Sequence, residues 1–165
     1  MARIAYRGAE FDRSLCLRTD AGCAEGRRLT SERNRAIERR QLASDYQKSR
    51  SYAPAVVTEG GHIVWLAGIL APMDEHGESL ANNFAGQVRC VFRKMARQLE
   101  EAGATLGDVV TMTAFITEVS DNTAFVELRK EFFDEEHYPA STLVTVKALN
   151  NPDALVEITA TAVTA

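Results

Sequence analysis

Glu157 stands in the run LVEITATAV (155–163), a carboxylate flanked by apolar and β-branched residues. A strand of that composition is largely buried, and burial without a partner raises a carboxyl pKa into the range useful for general acid–base work. The alternatives are that Glu157 faces solvent on the polar side of its strand, or pairs with a lysine such as Lys147 on the adjacent strand. A second cluster lies in YPASTLVTV (138–146), where Pro139 leads into a strand that begins with two hydroxyls, Ser141 and Thr142. Hydroxyls at a strand mouth can meet a ligand, but they commonly satisfy a nearby backbone group. Tyr52 is the third candidate, an aromatic whose phenol needs a hydrogen-bond partner if it is buried.

Other chemistries find less support. The sequence has no Gly-rich phosphate loop, no H-E-x-x-H and no G-x-S-x-G, and nothing places His62, His76 or His137 beside a serine or cysteine nucleophile. Cys16, Cys23 and Cys90 are unpatterned and lack partners at zinc spacing, so they read as free thiols. No metal and no cofactor is expected. Asp134-Glu135-Glu136 reads as a solvated helix end.

With 45% hydrophobic and 25% charged residues over 165 positions, the chain reads as one soluble domain. The net charge of −4 argues against a nucleic-acid surface. No apolar run approaches the roughly 18 residues that span a membrane, and the charged start MARIAYRGAEFDR lacks a signal-peptide core. A cytoplasmic location is the expectation. Residues 1–50 are arginine-rich (Arg27, Arg28, Arg33, Arg35, Arg39, Arg40 and Arg50) and read as a basic, partly helical N-terminal extension. The arm suits a solvated helix or a contact with an acidic partner subunit. Its basic residues are interleaved with acids and lack the aromatic set that would stack on RNA.

Within that extension, Arg3 to Arg7 suits a short strand, Phe11 to Gly26 is irregular, and Glu32 to Gln47 suits a helix with few apolar positions. The domain proper is expected over 51–165. Tyr52–Thr58 and His62–Ala67 read as strands joined by the hairpin signal Glu59-Gly60-Gly61. Phe84, Val88, Val91, Phe92, Met95 and Leu99 fall on one stripe of a helix over 84–102, capped by Asn82 or Asn83 and ended by Gly103. Val109–Thr117 alternates as a strand, Asn122–Glu135 suits a second helix, and Ser141–Leu149 and Leu155–Val163 are the last strands. The order ββαβαββ predicts a two-layer α+β domain, a mixed sheet with both helices on one face. Thr113, Phe115, Val144, Val146, Ile158 and Ala160 cannot all be solvated on the other face, which predicts self-association through the sheet.

Taken together, SYAPAVV (51–57), LAG (66–68), EEAGATLGDVVTMTAFITEVSD (100–121), FVELRKEFF (125–133), YPASTLV (138–144) and LVEITATA (155–162) resemble the Rid family, also called YjgF/YER057c/UK114. The resemblance implies a chorismate-mutase-like fold assembled as a homotrimer around a central barrel, with small-molecule clefts between subunits. It also implies hydrolysis of reactive enamines and imines, or of amino-dienoates such as 2-aminomuconate; some relatives have been described as endoribonucleases. The family's cleft tyrosine falls on Tyr52, and its late-strand glutamate is kept as Glu157. Other positions depart. Ala67 replaces a serine, Ile69 a glutamine, Leu143 a cysteine and Thr159 a second glutamate. Most consequentially, Ser141 stands where relatives carry the arginine that grips a substrate carboxylate.

The expectation is therefore a divergent Rid-type deaminase with catalytic Glu157 and Tyr52 and substrate-binding Ser141, Gly68 and Thr142. Glu157 would position water, and backbone N–H groups near Gly68 or Ser141 would polarise the substrate. Without the arginine, a neutral or larger conjugated substrate is expected unless another cation, such as Arg50 or one from the arm, enters the cleft. The alternatives are a trimer that binds a metabolite without turnover and, more distantly, an endoribonuclease. The partners expected are a small-molecule substrate and other copies of the chain, with neither membrane nor nucleic acid.

Overall fold

A computed structural model of the protein describes residues 37–165. The expected Arg3–Arg7 strand, the stretch from Phe11 to Gly26, Cys16, Cys23 and the arm up to residue 36 lie outside the described residues. The elements run β1 (Glu38–Leu42), α1 (Asp45–Ser49), β2 (Ala55–Glu59), β3 (His62–Leu70), α2 (Phe84–Glu101), β4 (Val109–Ile116), α3 (Asn122–Arg129), β5 (Ala140–Thr145) and β6 (Val156–Thr164). From β2 onward this is the ββαβαββ order, folded as a mixed α+β domain.

The core forms where periodicity places it. Val88, Val91, Phe92, Met95 and Leu99 of α2 are all fully buried. Asn83 caps that helix by accepting from Gly86 N, and Gly103, at φ 74°, lets the chain leave it. The main sheet has the order β3-β6-β4-β5. β6 runs antiparallel to both neighbours, whereas β4 and β5 are parallel. A parallel pair needs a crossover, and α3 provides it on the helical face. That helix stops at Arg129, six residues before the expected end at Glu135. Shorter i to i+3 bonds then tighten the chain and bring Phe132 and Phe133 to 4.9 and 5.6 Å from the Phe92 ring.

Register sorts the sheet residues by face. Met112, Ala114, Ile116, Val156, Ile158 and Ala160 lie under the helices and are buried. Thr113, Phe115, Glu157 and Thr159 alternate onto the opposite face, as Thr142 and Val144 do on β5. Ile158 and Ala160 thus belong to the core rather than to the uncovered face, and Val146 lies beyond β5. The open face also carries Ile63 and Trp65, 57% and 75% exposed.

Two expectations fail, the helix over 32–47 in its described part and the β2–β3 hairpin. Residues 38–42 form a strand, not part of a helix, and α1 is a short separate turn. The sparse apolar positions give a helix little to bury, whereas a strand pairs its backbone with β2 from Glu38–Glu59 to Leu42–Ala55. Alternation then turns Arg39 inward, where Nη2 donates to the carbonyls of Val109 (3.2 Å), His137 (3.0 Å) and Tyr138 (3.4 Å). The expected β2–β3 hairpin also fails. Gly60 and Gly61 have the positive φ of such a turn, 79° and 82°, but β2 is paired with β1 instead. At its start, Ala53 N donates to Pro139 O (2.9 Å), tying the strand to the mouth of β5.

Candidate functional site

Ser141 opens β5 on the helical face, opposite Met112 of β4. Its hydroxyl accepts a 2.6 Å hydrogen bond from Nη1 of Arg129, the last residue of α3. Arg129 is only 3% exposed. Its Nε donates to Ser51 Oγ (3.0 Å) and its Nη2 to the carbonyl of Arg50 (2.8 Å). The guanidinium lies 5.3 Å from the centroid of the Phe125 ring, one turn earlier on the same helix.

Ser51 is held for this task in an unusual conformation. It is fully buried and has φ 56°, which a non-glycine residue adopts at a cost of about 1–2 kcal/mol. Its Oγ donates to the carbonyl of Val126 (2.8 Å) while accepting from Arg129, so the hydroxyl locks α3 to the segment leading into β2. Arg50 donates through Nη2 to Asn122 Oδ1 (2.8 Å) at the other end of α3.

These residues enclose a cleft of about 120 Å³ lined by Arg50, Tyr52, Asn122, Val126, Arg129, Ser141 and Leu143. Two linings are cationic and none is acidic. Burial pushes the Arg129 pKa down to about 10, with Arg50 adding repulsion against partial relief from the Tyr138 and Tyr52 phenols. Arg129 remains charged at neutral pH and carries an unbalanced charge in a dry setting.

Glu157 lies elsewhere. It sits on the open face opposite Phe115 of β4 and Leu70 of β3, where the β3–β6 register shifts between Leu66 and Ile69. Gly68 falls in that irregularity, and a Cβ there would collide with Glu157 Oε1. Thr159 completes the local structure by donating to Leu66 O (2.8 Å). Among the described residues no lysine pairs with Glu157, and Lys147 lies past the end of β5.

The five expected site residues therefore fall into separate groups. Tyr52 and Ser141 share the arginine cleft. Gly68 and Glu157 touch each other on the open face, and Thr142 is exposed beside Thr113 on that face. Within one chain the sheet separates Glu157 from the arginine cleft.

A family model described as Endoribonuclease L-PSP matches residues 43–164. The chain belongs to this family, known also as Rid. The match starts before Ser51 and includes α1. A RutC family protein of Pyrococcus abyssi is 33% identical over 102 residues, 62% of this chain and 79% of the relative. Among solved structures, a Rid protein of unknown function from Yersinia pestis is 25% identical with a TM-score of 0.68, covering 76% of this chain and 98% of its own. RidA from the Antarctic bacterium Psychrobacter is 31% identical with a TM-score of 0.57, covering 68% and 87%.

For this Rid-family chain, the residue that sequence reasoning missed is Arg129. The expected extra cation was Arg50 or an arginine of the arm; Arg50 does line the cleft, but α3 supplies the buried one. The signal was present in FVELRKEFF, because Arg129 follows Phe125 by four residues and so shares its inward stripe.

Proposed function

We propose that this chain is a Rid-type deaminase that hydrolyses an enamine or imine, or an amino-dienoate, to the carbonyl compound and ammonia. The enamine first shifts a proton to become its imine. Water then adds to the imine carbon, and the carbinolamine expels ammonia as the C=O bond forms. Glu157 takes the proton from the attacking water and returns it to the leaving nitrogen. Tyr52 stacks on, or hydrogen-bonds, the planar substrate.

The observation that carries this reading is the Glu157–Gly68 contact. A carboxylate lies against a strand irregularity at Gly68, where a Cβ would displace it. The arginine cleft would hold the substrate, with Glu157 supplied by a neighbouring copy across the sheet. The exposed Trp65 and Ile63 on the face of Glu157 support such an assembly, a homotrimer with clefts between subunits.

The test is ammonia release from freshly generated imines and from 2-aminomuconate. Turnover abolished by Glu157→Gln supports the proposal. Ligand-induced stabilisation with no release from any substrate would replace it with a second reading, a metabolite-binding trimer.

A further inference from the structure

We propose that Arg129, with Arg50 beside it, is the anion grip of the cleft and selects small molecules that carry a carboxylate. This rests on the Rid-type reading for the identity of the site, but its physical argument is separate.

A guanidinium has five N–H donors, and Arg129 spends one each on Ser51, Ser141 and Arg50. One N–H on Nη1 and one on Nη2 remain for a ligand, and Arg129 lines the cleft. The three partners are all neutral, so none of them neutralises the charge. Every other buried cation would call for an acid, and the cleft lining offers only Arg50 as a second charged group. The cleft volume of about 120 Å³ admits a small planar acid rather than a polymer.

The site is also built in advance. Ser51 holds a strained backbone to aim its hydroxyl at Nε, Phe125 supports the guanidinium plane, and Ser141 fixes Nη1. A group anchored at three points loses little freedom when a ligand arrives. Ser141 is thus a positioning residue for Arg129, and Arg129 determines specificity.

The experiment is calorimetric titration of the full chain with crotonate and with its neutral isostere crotonamide. Crotonate should bind roughly tenfold or more tightly than crotonamide. Arg129→Gln should erase that preference, and Arg129→Lys should retain part of it. Arg50→Gln should weaken it without erasing it. Equal affinity for the two ligands in the unmodified protein overturns the proposal without requiring any variant to fold. A preference undiminished in a folded Arg129→Gln protein overturns it too. Selective crotonate binding in an unmodified protein that releases no ammonia from any substrate leaves the grip standing while the deaminase reading falls.

Discussion

Ser141 Oγ and Arg129 Nη1 are 2.6 Å apart, so the hydroxyl at the mouth of β5 serves the guanidinium of α3. Where the family resemblance leads one to expect a cation on the strand, Arg129 of the helix stands beside Ser141. Loss of the motif arginine therefore does not leave the cleft neutral.

This reverses the outcome expected for Ser141→Arg. On sequence grounds the substitution restores a missing anchor and raises imino-acid hydrolysis. With Arg129 already at that point, a second guanidinium meets like charge in a buried space. The single variant should lose crotonate binding and about 1–3 kcal/mol of stability. The double variant Ser141→Arg/Arg129→Ser should recover much of both. Thermal melts and the crotonate titration check this; a single variant that gains binding contradicts it.

Ser51 allows strain and hydrogen bonding to be separated. Ser51→Ala keeps the strained φ of 56° and leaves Arg129 Nε without its acceptor, costing about 2–3 kcal/mol. Ser51→Gly loses the same hydrogen bonds but relaxes the backbone, so it should be about 1 kcal/mol less damaging than alanine. Urea denaturation of the three proteins gives the order serine, glycine, alanine. An alanine variant as stable as the glycine one would show that the backbone stores no strain.

The pH dependence follows from Arg129. Its pKa is lowered by burial to about 10, so its charge persists through neutral pH and is lost only above that value. Crotonate affinity should stay flat from about pH 6 to 9, where the acid is ionised, and fall as pH rises through 10. The sign for stability is opposite to that of a favourable pair. The folded pKa lies below that of the unfolded chain, so the cost of burying the charge is full at neutral pH and declines as alkali neutralises it. Affinity that falls between pH 6 and 8 would show that a group other than Arg129 carries the grip.

The parts legible in the sequence were those governed by one strong period. The stripe from Phe84 to Leu99 and the inward Phe125 and Leu128 appear in or against the core as spaced, whereas Phe132 and Phe133 reach it beyond the end of α3. Faces of strands were less secure: LVEITATAV is apolar in both phases, so only register showed that Glu157 and Thr159 share the open face while Ile158 and Ala160 are buried. β1 was read as a helix because its fold comes from pairing with β2, a tertiary contact with no local signature. At the site, Tyr52 and Ser141 were legible from motif. Arg129 shares the inward stripe of Phe125, but an arginine there normally reaches solvent, and its burial depends on Ser51, 78 residues away.

Gly68→Ala should separate activity from folding. The added methyl meets the far end of the Glu157 side chain, which can swing aside at small cost in stability. A carboxylate displaced by about 1 Å loses up to roughly a hundredfold in rate. Ammonia release should fall at least tenfold while the melting temperature changes little. Unchanged turnover would remove Glu157 from the proposed chemistry.

Under the proposed deaminase reading, Glu157 lies across the sheet from Arg129, so a second copy of the chain is needed to bring the two together. If each cleft joins Arg129 of one copy to Glu157 of the next, neither Arg129→Gln nor Glu157→Gln is active alone. Subunits of the two variants, unfolded together and refolded as a mixture, should regain activity. With random mixing at equal amounts, about a quarter of the clefts receive both intact residues. Trp65→Asp, placing a charge on the exposed sheet face, should reduce the particle to a monomer by light scattering and abolish turnover. It should leave crotonate binding in place, because the groups that hold Arg129, namely Ser51, Ser141 and the carbonyl of Arg50, are all on its own chain. A mixture that stays inactive, or a monomer that still turns over, would refute the shared cleft.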